Sequence, residues 1–272
     1  MSYSAGLYED LMVPGLFGPW ASHVIESANP QPGERVLDVA CGTGIVARSI
    51  APRVGSQGSV IGLDLSQDMI DVARAAAETE GLAIEWHAGP AERLPFPDDS
   101  FDLVLCQFGL MFFADRLAAL SEMHRVLKSD GRVVLSVWQS LDRHPFSQTL
   151  HDASSRRLGK SSVGAVFSLG DPDELRRLLT EAGFQDVEIE PLSITARSSN
   201  PPEFLAWEID VDPAETPALQ DLDGESRQAI LATLHEEMQT ALREVMQGGE
   251  VVMPSHALIA RARRDADVWS PR

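Results

Sequence analysis

The sequence has only two cysteines and no apolar run long enough to cross a membrane. Neither Cys41 nor Cys106 stands in a Cys-x-x-Cys or Cys/His spacing, which argues against a metal site. Because both residues end apolar runs, we expect them to be reduced, buried thiols. The first residues also lack the basic segment and apolar run of a signal peptide. These absences predict a cytoplasmic chain with no membrane span and no bound metal.

Basic residues are scarce relative to acidic ones. The 272 residues include 22 Lys and Arg against 41 Asp and Glu, which gives a formal net charge of −19 at pH 7. A chain this acidic would repel the phosphate backbone of a nucleic acid, so we expect no nucleic-acid partner. The hydrophobic content of 44% is ordinary for a globular protein and allows a sizeable core. The length suits one large domain, or one domain with a cap.

From residue 33 to residue 140, strand-like apolar runs alternate with segments of helical periodicity. The strand-like runs read RVLDVA, SVIGLDLS, AIEWHAG, FDLVLCQF and RVVLSVW. The helical segments include QDMIDVARAAAETEG and RLAALSEMHRVLKSDG, and we expect the second to end at Gly131. This alternation predicts βαβ units and a parallel sheet. The continuous apolar character of the runs indicates strands that are buried on both faces.

The flanking segments differ from this central part. Residues 1–32 are aromatic and helical in pattern, which fits either a helix packed on the edge of the sheet or a helical lid over a ligand site. Residues 141–272 add two strand-like runs, QDVEIEPLSITAR and HALIARARR, so that the predicted sheet has seven strands. A helical insertion at about 198–250 separates these two runs. We therefore expect a lid, a core over residues 33–140, and a remainder that completes the sheet and carries a helical cap.

The first strand-like run leads into a glycine turn, Asp38-Val39-Ala40-Cys41-Gly42-Thr43-Gly44. Glycines between a strand and a helix let a ligand approach the backbone and the N-terminus of the helix. The next run ends at Asp64, twenty residues beyond Gly44, where a carboxylate can accept hydrogen bonds from a ribose diol. The glycines alone also fit a tight turn without a ligand, but Asp64 favours a nucleoside site.

Two nucleoside cofactors, NAD and S-adenosylmethionine, fit this pattern. Read from Gly42, the sequence G-T-G-I-V-A matches the loose form of the dinucleotide fingerprint. Asp38 favours S-adenosylmethionine, because its carboxylate suits the ammonium group of a methionine moiety and disfavours a pyrophosphate. An NAD-dependent oxidoreductase would also need a hydride-transfer site such as Tyr-x-x-x-Lys, and neither Tyr3 nor Tyr8 is followed by that lysine.

Four segments resemble, in order, the motifs of class I S-adenosylmethionine-dependent methyltransferases: VLDVACGTG, GLDLSQDMI, AERLPFPDDSFDLVLCQFGLMFF and EMHRVLKSDGRVVLSVW. The resemblance is greatest to the branch that includes the ubiquinone/menaquinone biosynthesis C-methyltransferases. It covers residues 33–140 and extends weakly to DELRRLLTEAGFQDVEIE. It implies an α/β fold with a Rossmann-like, seven-stranded, mostly parallel sheet, helices on both faces, and S-adenosylmethionine as cofactor.

The resemblance also implies roles for individual residues. Asp38 and the backbone of Ala40, Gly42 and Gly44 would hold the methionine part, and Asp64 would bind both ribose hydroxyls. The other residues implied in cofactor binding are Leu65, Met69, Ala91 and Glu92 near the adenine, and Gln107 and Phe108 near the sulfonium.

Two residues depart from the family pattern. Ala40 replaces the first glycine of the usual D-x-G-x-G-x-G motif. Pro90 stands where many relatives have an aspartate that takes the adenine amino group. Adenine recognition is therefore expected to depend on the backbone or on Glu92.

Methyl transfer from a sulfonium is an in-line displacement with a neutral leaving group, so an enzyme mainly supplies positioning and water exclusion. A hydroxyl or amine acceptor would also need a base, for which Tyr8 and His144 are candidates. The apolar segment at 108–113 is expected to line the acceptor pocket. The inserted helices, which carry Phe204, Trp207 and Met238, are expected to cover its mouth.

The leading hypothesis is an S-adenosylmethionine-dependent methyltransferase that acts on a small, apolar or aromatic organic acceptor. A non-catalytic S-adenosylmethionine-binding protein and an NAD-dependent oxidoreductase are the alternatives. A nucleic-acid methyltransferase is disfavoured by the net charge. It is also disfavoured because CQFG stands at the fourth strand in place of an Asn/Asp-Pro-Pro-aromatic motif.

Overall fold

The fold is built on one central sheet that is flanked by helices. The computed structural model describes residues 5–158, 163–210 and 222–265. Its strands are β1 Arg35–Val39, β2 Ser59–Asp64, β3 Glu85–Ala88, β4 Phe101–Gln107, β5 Leu127–Trp138, β6 Gln185–Ser198, β7 Met246–Gln247 and β8 Glu250–Arg263. The strand order is β3-β2-β1-β4-β5-β8-β6, and the short β7 pairs with β8. Strands β1 to β5 pair in parallel, whereas β8 is antiparallel to β5 and β6. The predicted mostly parallel sheet is confirmed, and β7 adds a short eighth strand.

The helices follow the predicted alternation with the strands. They are α1 Ala5–Leu7, the π-helix Tyr8–Phe17, α2 Gly18–Ala28, α3 Ile45–Val54, α4 Gln67–Thr79, α5 Arg116–Val126, α6 Pro145–Leu158, α7 Val163–Val166, α8 Pro172–Glu181, α9 Pro201–Asp210 and α10 Gly224–Glu244. Polar side chains cap the N-termini of several of these helices. The Ser66 hydroxyl accepts a hydrogen bond from the Met69 N–H at 3.4 Å, and the Asp171 carboxylate accepts one from the Asp173 N–H at 2.9 Å. Short 3₁₀ turns at Gly55–Gln57, Leu110–Phe112 and Leu141–Arg143 complete the connections.

The end of α5 differs from its prediction. The helix stops at Val126, not at Gly131, and Leu127 is extended (φ −68°, ψ 144°) and pairs with Phe101 of β4. Arg264 explains the early end, since its guanidinium donates to the carbonyl oxygens of Arg125, at 2.9 Å, and of Leu127. These are carbonyls that the last turn of a helix leaves without partners.

Two clusters of buried side chains hold the fold together. The larger one surrounds β1, β4 and β5, and it includes the buried Cys106; Cys41 is also buried, and both cysteines are free. The smaller one joins α6, α9, α10 and the start of β8. Phe204 and Met238 belong to this smaller cluster, so the prediction that they cover the mouth of the pocket is wrong for these two residues. They face the neighbouring helices because α9 and α10 bury their apolar sides against each other and against α6.

The N-terminal segment (residues 5–28) lies across the carboxyl ends of the parallel strands. The Gln107 side chain donates from Nε2 to the Phe17 carbonyl oxygen at 3.1 Å, and the Trp20 indole donates to the Ser255 hydroxyl at 3.0 Å. Gly15 of the π-helix lies directly against the backbone of β6, where a Cβ would overlap the Arg197 carbonyl oxygen. These contacts fix the second half of the segment on the sheet.

Replacement of Gly15 by alanine tests this close approach. Alanine normally stabilises a helical position by about 0.5–1 kcal/mol relative to glycine. Here we expect Gly15→Ala to lower the free energy of unfolding by about 1–3 kcal/mol, because the methyl group has no space. Gly224→Ala in α10 is the matched control, since nothing lies within 4 Å of a Cβ at that position. Urea unfolding midpoints measure both effects, and equal midpoints for the two variants would contradict the packing.

Candidate functional site

The candidate site lies where four neighbouring parallel strands end. Asp38 is the penultimate residue of β1, and β2, β4 and β5 end at Asp64, Gln107 and Trp138. Ligands of open parallel sheets bind beyond this edge. The strand order therefore brings the predicted cofactor residues together although they are far apart in the sequence.

The glycine turn has the backbone conformation that its sequence suggests. Gly42 and Gly44 have φ values of 54° and 83°, in the left-handed region that favours glycine. Ala40, which replaces a family glycine, also has a positive φ of 56°. A Cβ at Gly44 would overlap the Trp86 ring, so this position also requires glycine on steric grounds. The turn is thus held in a form that exposes its backbone toward the cavity.

Asp38 lies beneath this turn and is 1% exposed. Its Oδ2 accepts a hydrogen bond from the Ala47 N–H at 3.0 Å, whereas its Oδ1 is buried without a partner among the described residues. Burial raises the pKa of Asp38 to about 8, and the nearby Asp64 charge also raises it. An unpaired, buried carboxylate oxygen is suited to a cation, so the site fits the ammonium group of a methionine moiety.

Asp64 connects the turn to the start of α4. Its Oδ2 accepts from the Gly42 N–H at 2.8 Å and its Oδ1 accepts from the Ser66 N–H at 2.9 Å. Burial raises the pKa of Asp64 as well. A carboxylate has about four acceptor positions, so two remain for further donors such as ribose hydroxyls. Leu65 beside it is 76% exposed and lines the cavity described below.

Glu92 has a partner in the protein. Its Oε1 accepts from the backbone N–H groups of Ala114 and Asp115, at 3.1 and 3.4 Å. Glu92 therefore positions the loop between β4 and α5 while it also lines the cavity. The sequence does not reveal this second role, because the hydrogen bonds join residues that are 22 and 23 positions apart in the chain.

Gln107 and Phe108 border the inner part of the site. While Nε2 of Gln107 holds the N-terminal segment, its Oε1 is buried without a partner among the described residues. Phe108 has a positive φ of 52° and stacks on Trp138 with a centroid distance of 3.7 Å and an interplanar angle of 13°. The two rings form one flat apolar wall.

A single cavity of about 800 Å³ joins these features. The predicted residues that line it are Tyr8, Ala40, Gly42, Asp64, Leu65, Met69, Ala91, Glu92, Gln107, Phe108 and His144. Asp38 and Gly44, the two ends of the turn, are buried and do not line the cavity. Three further aromatic residues line the cavity and were not predicted from the sequence: Trp138, Phe146 and Phe167. The position of Trp138 at the end of a parallel strand was a usable signal, whereas Phe146 and Phe167 lie in segments without any motif.

Tyr8 and His144, the two candidate bases, differ in their surroundings. The Tyr8 ring stacks on Phe17 at a centroid distance of 5.1 Å. Burial and the charge of Asp64 raise the pKa of Tyr8, so its phenol stays protonated and can donate a hydrogen bond. His144 Nδ1 lies 3.3 Å from the Ser140 carbonyl oxygen, and Nε2 accepts from the His256 N–H at 3.3 Å. Burial lowers the pKa of His144 to about 4. Since both of its ring nitrogens are engaged, this geometry favours a structural role for His144.

The charged side chains that line the cavity, among the described residues, are all acidic. The charged side chains that line it are Asp64, Glu92, Asp115 and Glu208, and neither lysine nor arginine is present among its described lining residues. A small ligand without negative charge is therefore better suited to this cavity than an anion.

Within the described ranges, no helix is long and apolar enough to cross a membrane.

The sheet order and the glycine turn, with the buried Asp38 and the half-buried Asp64, are those expected of an S-adenosylmethionine-dependent methyltransferase. The model of the ubiE/COQ5 methyltransferase family matches residues 6–156. The chain belongs to this family, and its cofactor is S-adenosylmethionine. The choice between the two cofactors that the glycine turn allowed is thereby settled against NAD.

Individual relatives agree with this assignment. A ubiquinone/menaquinone biosynthesis C-methyltransferase of Coxiella burnetii is 34% identical over 203 residues, which cover 69% of this chain and 81% of the relative. The crystal structure of the YcgJ protein of Bacillus subtilis superposes with a TM-score of 0.61 at 20% identity, and covers 90% of this chain and 97% of that one. Phosphoethanolamine N-methyltransferase 2 of Haemonchus contortus, solved with S-adenosyl-L-methionine, has a TM-score of 0.55 at 20% identity, over 91% of this chain and 52% of that one. The two structures support the fold.

The buried Asp38 carboxyl predicts a pH-dependent stability. Its pKa changes from 3.8 in the unfolded chain to about 8 in the folded one, so the folded state binds more protons between these values. Asp38 therefore destabilises the fold increasingly as the pH rises through this window. Asp38→Asn keeps the hydrogen-bond acceptor for Ala47 and removes the charge. We expect its melting temperature to exceed that of the wild type by a margin that grows from pH 4.5 to pH 8.5. A margin that does not change with pH would contradict the raised pKa.

Proposed function

We propose that this methyltransferase transfers the methyl group of S-adenosylmethionine to a small, apolar or aromatic organic acceptor. The observation that carries the proposal is the single cavity, which extends from the carboxylate of Asp64 to walls formed by Trp138, Phe146, Phe167 and Trp207. One end offers polar groups for a nucleoside and the other offers aromatic faces. Cofactor and acceptor can therefore occupy one continuous cavity.

The aromatic end of the cavity suits a flat acceptor. Phe108 and Trp138 supply a continuous stacked face, and Phe17 lies at a tilt to both, with centroid distances of 6.0 and 6.4 Å. Rings arranged in this way favour stacking or edge-to-face contacts with a ligand ring. A phosphate or carboxylate on the acceptor would find no cationic partner among the described lining residues. An unpaired charge in such an environment is strongly disfavoured.

The relatives suggest which acceptor to test first. The Coxiella burnetii relative is named as a C-methyltransferase of ubiquinone/menaquinone biosynthesis. A reduced quinone ring is small, aromatic and uncharged, in agreement with the walls of this cavity. We therefore propose an electron-rich aromatic ring as the acceptor, with carbon as the first atom to test for methylation.

The cofactor roles that the sequence predicts are part of the proposal. Asp38 would hold the ammonium group and Asp64 the ribose hydroxyls, while the backbone of Ala40, Gly42 and Gly44 lets the methionine part approach closely. The residues proposed to surround the adenine and the sulfonium are Leu65, Met69, Ala91, Glu92, Gln107 and Phe108. Bound S-adenosylmethionine supplies an electrophilic methyl group whose leaving group is a neutral thioether.

The protein's own contribution is positioning and exclusion of water. Tyr8, Met12, Leu16 and Phe17 of the N-terminal segment line one side of the cavity. With both ligands bound, these side chains would orient the reacting atoms and help to exclude water as a competing nucleophile. Tyr8 would act as a hydrogen-bond donor to the acceptor, not as a base, because its pKa is raised.

A matched pair of acceptors tests the proposal. We expect a 1,4-naphthoquinol with an apolar substituent, kept reduced under anaerobic conditions, to be methylated. The same ring with a carboxylate as substituent is expected to show a kcat/KM lower by about 100-fold or more, because the charge would be buried without a partner. Formation of S-adenosylhomocysteine, measured by chromatography, follows both reactions, with phosphoethanolamine as an anionic non-aromatic control. Comparable turnover of either anionic compound would overturn the proposed acceptor class.

A further inference from the structure

We propose that Arg48 is a positioning residue that holds the N-terminal segment closed over the cofactor site through Glu9. The inference rests on the proposed cofactor site and not on the identity of the acceptor. We call the group Glu9, Arg48 and Glu80 the Arg48 latch. It joins the π-helix, α3 and α4, three elements that surround the glycine turn.

The geometry of the latch is that of a cation held between two carboxylates. Arg48 Nη2 lies 2.5 Å from Glu9 Oε1, and Nη1 pairs with Glu80 Oε1. The side chain of Arg48 is 8% exposed, and those of Glu9 and Glu80 are 21% and 43% exposed. Because an arginine cannot lose its charge, a guanidinium this deeply buried needs its carboxylates. Glu9 is the better shielded of the two, so its contact with Arg48 is the stronger one.

The latch is also incompletely satisfied. Glu9 Oε2 and Arg48 Nε are buried without hydrogen-bond partners among the described residues. A buried ion pair with such gaps adds little net stability, since the desolvation penalty is not fully offset. The pair fixes the position of the π-helix, and loss of the Glu9 charge would leave the buried guanidinium with a single carboxylate partner.

Tyr8 is the residue that this position controls. It precedes Glu9, and its hydroxyl and ring edge lie 3.8 Å from the place a Cβ would occupy on Gly42. Tyr8 thus covers the turn that is proposed to hold the methionine part. Its ring also contacts Trp207 of the helical cap at a centroid distance of 5.5 Å. A shift of Glu9 would move Tyr8 away from both surfaces.

The two ends of the π-helix are attached differently. The later end is fixed by Gly15 against Arg197 and by the hydrogen bond from Gln107 to Phe17. The beginning is held by the pairing of Glu9 with Arg48. Release of this pair would let the first turns swing outward while the rest stays on the sheet. We therefore infer that the latch controls how long a bound cofactor stays in the site.

Glu9→Gln is the test variant, because it keeps the shape of the side chain and removes its charge. Asp10→Asn is the matched control, since Asp10 is exposed and lies one residue further along the same segment. The dissociation rate of S-adenosylhomocysteine, followed by stopped-flow tryptophan fluorescence, is the readout. We expect Glu9→Gln to raise this rate about 10- to 100-fold, the loss typical of a charged hydrogen bond, and Asp10→Asn to leave it unchanged.

A second measurement separates positioning from folding. Without ligand, Glu9→Gln is expected to melt at a lower temperature than the wild type, because the buried Arg48 loses one of its two carboxylates. The increase in melting temperature caused by S-adenosylhomocysteine is also expected to be smaller in the variant. Glu80→Gln, which removes the more exposed carboxylate, is expected to have a smaller effect on the dissociation rate. The proposal is overturned if Glu9→Gln and Asp10→Asn dissociate the ligand at the wild-type rate. It is also overturned if Glu9→Gln lowers the ligand-free melting temperature and leaves the ligand-induced increase intact. Neither readout uses a methyl acceptor, so failure of the proposed acceptor class would leave this test valid.

Discussion

The buried carboxylate of Asp38 is the constraint around which the site is organised. One of its oxygens is held by the Ala47 N–H at the start of α3, and the other has no partner among the described residues. The sheet and the turn remove this group from water, which raises its pKa to about 8. A protein retains a group that destabilises its fold in this way where function requires it. A cation that supplies the missing partner would stabilise both the carboxylate and the turn above it.

The cavity above Asp38 is assembled from distant parts of the chain. The parallel strands supply the carboxylates, the glycine turn and part of the aromatic wall, to which the N-terminal segment and the segments that follow β5 add Tyr8, Phe17, Phe146, Phe167 and Trp207. The Arg48 latch and the contact between Tyr8 and Trp207 connect these parts. In the proposed arrangement, one side of the π-helix contacts both the glycine turn and the helix that carries Trp207, so that cofactor binding would be coupled to the acceptor space.

Much of this arrangement could be predicted from the sequence, because its signals are local. Alternating apolar runs indicated the strands, and the glycines with Asp38 and Asp64 indicated the turn and its ligand. The end of α5 could not be predicted, since it depends on Arg264, which follows the last strand. Phe146 and Phe167 were also missed, because only the tertiary packing of α6 and of the segment after α7 brings them to the cavity. The ring nitrogens of His144 face backbone groups for the same reason, and no sequence pattern reports such contacts.

Proton release on cofactor binding tests the central role of Asp38 most directly. At pH 6.5 the carboxyl is mostly protonated in the free protein, since its pKa is about 8, and it must ionise to pair with an ammonium group. Calorimetric titration with S-adenosylmethionine in two buffers of different ionisation enthalpy measures the proton exchange. We expect release of about one proton with the wild type and no proton release with Asp38→Asn. Binding without proton release, or binding of NAD in place of S-adenosylmethionine, would contradict this role of Asp38.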